Sequence, residues 1–165
     1  MTHSDWLQTL AEIAIGFAGF AALIAGMRRR DGPIDLENAG RGRAVVETSL
    51  SVLFGCTIPV LLHGLGISEE SAFRIAGSLF LLVGAPLTVR GFRRASAARP
   101  TAASVDPVLG SLSIVAGLGS VSFSLACVVG VPGSSVPTYF LGALVGTLGI
   151  AAINFTSFVF AIVDE

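Results

Sequence analysis

Five apolar stretches partition this sequence, and each approaches the ~20 helical residues needed to cross a hydrocarbon core. They run over 6–27, 44–65, 71–89, 109–131 and 137–162. An isolated strand cannot satisfy its backbone in lipid, whereas a helix does so within itself. The spacing therefore predicts an all-α fold. The chain reads as a polytopic membrane protein, a bundle of about five transmembrane helices, forming a single domain over 1–165. The third stretch is the weakest, because Arg74 interrupts it and only 75–89 is free of charge.

Composition agrees with a chain that has almost no soluble mass. Charged residues make up 13%, about half of the ~25% typical of soluble domains. No basic patch or net positive charge invites a nucleic-acid partner. The basic residues are all arginine, and with abundant Ala and Gly this points to a high-GC bacterial genome. The start, Met1 to Trp6, lacks the positive n-region of a signal peptide, so the first apolar stretch is expected to remain as a helix.

Arginine placement sets the expected orientation. Arg28, Arg29, Arg30, Arg41 and Arg43 fall between the first two stretches, and Arg90, Arg93, Arg94 and Arg99 between the third and fourth. Arg74 alone lies on the opposite side, after Glu69 and Glu70. By the positive-inside rule the arginine-rich connections are cytoplasmic, with the N-terminus outside and the C-terminus inside a bacterial inner membrane. Short connections at 64–70 and at 133–135 make their flanking helices antiparallel neighbours. Asp35 is a candidate N-cap for the second helix, and 95–104 reads as a cytoplasmic linker.

Side-chain size divides the helices. In the first, Leu10, Ile13, Phe17, Phe20 and Ile24 share one arc, while Ala14, Gly16, Gly19, Ala21 and other small residues fill the rest. Small faces let membrane helices approach closely, with bulky faces turned to lipid. The fourth helix repeats Gly110, Ser113, Gly117, Ser120, Ser124 and Cys127. The fifth carries Gly142, Gly146 and Gly149 with Asn154 on the small side, opposite Leu144, Leu148, Phe155 and Phe158. Gly16, Gly19, Gly117, Gly142, Gly146 and Asn154 are thus the expected packing positions, Asn154 by hydrogen bonding between helices. Partners on those faces are further copies of the chain or other membrane subunits.

Three polar residues stand out as candidates for chemistry. Glu12 lies about six residues inside the outer boundary, where an unpaired carboxylate costs roughly 2.5–3.5 kcal/mol. It reads as a proton- or cation-handling acid or as a hydrogen-bonded packing residue. His63 lies at similar depth and could pair with Glu12; the plainer reading is a wetted helix end. Glu47 stands four residues after Arg43, the spacing of an interfacial ion pair. It also shares an arc with Thr48, Ser51, Gly55 and Pro59, which could line a polar path.

Function is the least constrained inference. Cys56 and Cys127 have no CxxC or Cys/His neighbourhood, so neither a metal nor a cofactor is expected. No HExxH, no GxSG with a membrane histidine and no pair of aspartates within the spans suggests an intramembrane hydrolase, so an enzyme is not expected. The best reading is an oligomeric channel or transporter-like protein handling protons or small ions. The alternative is a structural or accessory subunit of a larger membrane complex, with no transport of its own.

Overall fold

The computed structural model describes residues 3–28, 36–97, 107–130 and 135–163. These form α1 (His3–Arg28), α2 (Leu36–Gly64), α3 (Glu69–Ala97), α4 (Pro107–Val129) and α5 (Val136–Val163). The all-α membrane bundle expected from the sequence is what the chain adopts. The Asp35 cap, the turn residues Gly133 and Ser134 and most of the 95–104 linker lie outside the described residues. Ala95 to Ala97 belong to the end of α3.

Local chemistry explains the breaks. Gly66, at φ +86°, takes the left-handed conformation that ends α2, and its N–H bonds the carbonyl of His63 at 3.0 Å. Ser68 then caps α3, accepting from the Ser71 N–H at 3.4 Å. Pro107 opens α4, where its missing N–H costs nothing. Pro59 and Pro86 lie within α2 and α3 without dividing them.

Among the described residues four stretches are long and apolar enough to cross a membrane: His3–Gly26, Gly42–Gly64, Gly110–Val129 and Val136–Phe160. The third expected span is not among them, since the side chains of Leu87, Thr88 and Arg90 onward lie outside the described residues; α3 opens with Glu69, Glu70 and Arg74 in its first turns. Topology nevertheless carries α3 back along the bundle. The start of α3 follows the end of α2 and also meets the end of α4, where Cys127 Sγ lies 3.5 Å from the Phe73 carbonyl. Helices α2 and α4 therefore run in one direction, and α3 returns antiparallel between them. At ~1.5 Å per residue its 29 residues cover about 44 Å. Leu79, Leu82, Val83 and Val89 present exposed apolar side chains along it.

Helix α5 is the hub. It packs against α1, α2, α3 and α4, whereas the backbone of α1, among the described residues, lies close to α2 and α5 alone. The core gathers around Phe140, which is fully buried and meets the rings of Phe73 (centroids 5.7 Å apart) and Phe80 (6.0 Å) edge-on. Leu7, Leu10, Ala14, Val52, Cys56, Leu144 and Leu148 complete it.

This position of α5 corrects the expectation that its bulky side faces lipid. Leu144, Leu148 and Phe158 are buried, the last against Gly42 of α2. A helix with four neighbours has its glycine side and its bulky side both covered. Helix α1 needs the same kind of correction. Leu10 is buried and Phe17 packs on Phe155 with centroids 5.5 Å apart, while Ile13 and Phe20 remain exposed. Its small residues divide as well: Ala14 and Ala21 face inward, and Gly16, Gly19 and Gly26 have open space beside them.

Candidate functional site

Glu12 stands on the outer face of α1, opposite the buried line Leu7, Leu10, Ala14 and Ala21. At 100° per residue, Gln8, Glu12, Gly16, Gly19, Leu23 and Gly26 follow one stripe along that outer face. The Glu12 carboxylate accepts a hydrogen bond from Gln8 Nε2 at 2.9 Å, one turn back. Position 12 falls close to the middle of the apolar stretch His3–Gly26. An acid at that depth and on that face would meet hydrocarbon unless a neighbour, water or a proton relieves it.

The structure does not bring His63 to Glu12. His63 closes α2, and its Nδ1 lies 3.2 Å from the Ile67 carbonyl, an exposed contact within the turn. Arg74 is engaged elsewhere. It donates to Glu70 at 2.8 Å and lies against Gly130, where α4 ends. A cation at a helix C-terminus meets the negative end of the dipole. Gly130 has φ +71°, and a Cβ there would fall 2.6 Å from the guanidinium, so only glycine suits the position.

Glu47 pairs with Arg43 at 2.6 Å, both side chains exposed on the same face of α2. The arc from Glu47 to Pro59 does not open into a polar path. Thr48 and Ser51 bond back to carbonyls of their own helix, at 2.7 Å and 2.9 Å. Gly55 is closed over by Leu144 and Phe80, whose atoms would lie 2.6 Å and 3.3 Å from a Cβ placed there.

The polar chemistry inside the bundle is a hydroxyl seam between α4 and α5. Ser120 Oγ donates to the Ala143 carbonyl at 2.9 Å and lies 2.8 Å from Thr147 Oγ1. Thr147 reaches the same carbonyl at 3.0 Å, and Ser124 donates to the Ser120 carbonyl at 2.9 Å. Gly146 makes this possible. A Cβ there would sit 3.1 Å from the Ala116 carbonyl oxygen and 3.2 Å from the Ser120 backbone N. A Cβ at Gly142 would sit 3.1 Å from the Phe123 ring, and Gly117 is buried on α4. Asn154 is half-buried, and no hydrogen bond joins it to another helix among the described residues.

Two close approaches were not singled out in the sequence as packing positions. Gly77 of α3 meets Cys127 of α4, whose Sγ would lie 2.8 Å from an added Cβ, and Gly55 meets α5 as described. Neither belongs to a repeating small-residue pattern, so only the partner's position reveals them. Ser49 was missed as well. It is 1% exposed, and its Oγ has no hydrogen-bond partner among the described residues. No group of three or more His, Cys, Asp or Glu could hold a metal ion among those residues.

No protein-family model matches this chain, and neither a curated protein nor a solved structure is similar to it. Its chemistry has to be read from its own residues.

Proposed function

We propose that the chain works as an oligomer that handles protons or small ions, with Glu12 as its acid. The supporting observation is the position of Glu12 on the outside of the bundle, in line with the open glycines Gly16, Gly19 and Gly26. The buried polar residues described are Ser49, Ser120 and Ser124, and no buried acid or base accompanies them. An acid-lined path would therefore run between copies rather than through one chain. The environment fits a bacterial inner membrane, N-terminus outside and C-terminus cytoplasmic, by the arginine bias of the connections.

The same open face would also seat a helix of another protein, which keeps the accessory-subunit reading in play. Native mass spectrometry after mild detergent extraction separates the two: copies of one mass support the first, unrelated chains the second. The role of Glu12 is tested in liposomes. Glu12→Gln keeps shape and hydrogen bonding while removing ionisation, so it is expected to abolish proton or cation flux without loss of assembly. Flux unchanged in Glu12→Gln and in Glu12→Ala would remove the acid from the proposal.

A further inference from the structure

We propose that the end of α3 binds an anionic phospholipid, its phosphate held by Arg90, Arg93 and Arg94 and its acyl chains laid along the apolar face that precedes them. Leu79, Leu82, Val83 and Val89 have exposed side chains, and Pro86 is exposed among them. At 100° per residue, steps of three and four carry one line along α3 through positions 79, 82, 86, 90 and 93. That line reads Leu, Leu, Pro and then Arg, Arg. The helix runs on through these positions to Ala97, so the change from apolar to cationic falls along a single face.

The lengths suit a lipid. Half of a ~30 Å hydrocarbon core is ~15 Å, or about ten helical residues. Leu79 and Arg90 stand 11 positions apart, about 16 Å along the axis. The apolar part of the line therefore covers one leaflet, and Arg90 and Arg93 arrive at the level of its headgroups.

Helix α2 adds to the charge at that level. Its Gly55 lies beside Phe80 of α3, and the two helices are antiparallel. Counting 14 residues back from Gly55 reaches Arg41, and counting 14 on from Phe80 reaches Arg94. Position 94 also falls within ~40° of Phe80 around the helix axis, on the side of α3 that meets α2. The acids of this part of α2 are Glu37 and Glu47, and Glu47 is bound to Arg43. Five arginines against two glutamates leave this end of α2 and α3 cationic.

A guanidinium matches two phosphate oxygens at once, and arginine clusters next to membrane helices attract anionic headgroups. A free phosphate or an acidic peptide would meet the arginines alone. A lipid also covers Leu79, Leu82 and Val83, and both parts of the face are then satisfied by one molecule. The site lies on α3, away from Glu12 on α1, and stands whether or not the chain carries ions.

Native mass spectrometry of the full chain reads the preference. The chain is held in mild detergent with equal amounts of phosphatidylglycerol and phosphatidylcholine bearing the same acyl chains. The parent is expected to retain the anionic lipid several-fold over the zwitterionic one. Arg90→Gln, Arg93→Gln and Arg94→Gln combined should bring the ratio near one, and the matching Arg→Lys triple should keep most of it. Each single Arg→Gln change should lower the ratio part-way, so the outcome does not hang on the fold of the triple variant. Arg28→Gln, Arg29→Gln and Arg30→Gln combined remove as many charges from another connection and should leave the ratio largely intact. No preference in the parent, equal loss in the two Gln triples, or displacement of the lipid by millimolar inorganic phosphate overturns the proposal.

Discussion

Replacing Gly146 by Ala adds one methyl group where α4 and α5 are already in backbone contact. The Ala116 carbonyl oxygen would lie 3.1 Å from the new carbon, and Ser120 N and Cβ would each lie 3.2 Å away. Ordinary contact begins near 3.4 Å, so the helices must separate by a few tenths of an ångström. That movement stretches the Ser120 bonds to Ala143 and Thr147, now 2.9 Å and 2.8 Å. Overpacking of this kind costs about 1–3 kcal/mol. Alanine also improves on glycine by about 1 kcal/mol within a helix, leaving a net loss of about 0–2 kcal/mol. Gly119→Ala removes the ambiguity, because it carries the same helical gain with nothing within 4 Å to clash. Reversible unfolding in mixed micelles should place Gly146→Ala below Gly119→Ala by about 1–3 kcal/mol. In a Ser120→Ala background the gap should narrow, since the bonds being stretched are gone. A gap within about 0.5 kcal/mol, the usual additivity error, would refute the claim that backbone contact at Gly146 holds the seam.

Three further outcomes are expected of the same unfolding assay. Ser49→Ala deletes a buried hydroxyl with no partner and should be neutral or stabilising by up to about 1–3 kcal/mol; a clear loss would mean the hydroxyl is bonded in the membrane. Gly77→Ala drives a Cβ to 2.8 Å from Cys127 Sγ and should cost about 1–3 kcal/mol. Most of that loss should be recovered when Cys127 is also Ala. Glu47→Gln breaks an exposed pair with Arg43 and should cost about 0–1 kcal/mol, with liposome flux unchanged; a loss of flux would move the candidate acid from α1 to α2.

The number and type of the helices were legible in the sequence. A hydrocarbon core demands long uninterrupted apolar runs, and Gly66, Ser68 and Pro107 mark breaks by local backbone chemistry. Arg43 with Glu47 was legible too, since a pair four residues apart needs only its own helix. The glycines at 142 and 146 could be found because their spacing repeats on one face. The inward face of each helix was not legible. In a soluble protein polarity separates outside from inside, but in lipid both are apolar and side-chain size is a weak substitute. Helix α1 turns its alanines inward and its glycines outward, although both are small. Phe158 is buried and Phe20 exposed, although both sit on bulky arcs. Tertiary structure decided these cases by setting the number of neighbours: α5, with four, hides both its faces, and α1, with two, leaves Glu12 and its glycine stripe uncovered. It also decided the meeting of His3 with Glu69 and Phe73, because contact between residues so far apart in sequence follows only from how α1 and α3 lie across α2 and α5.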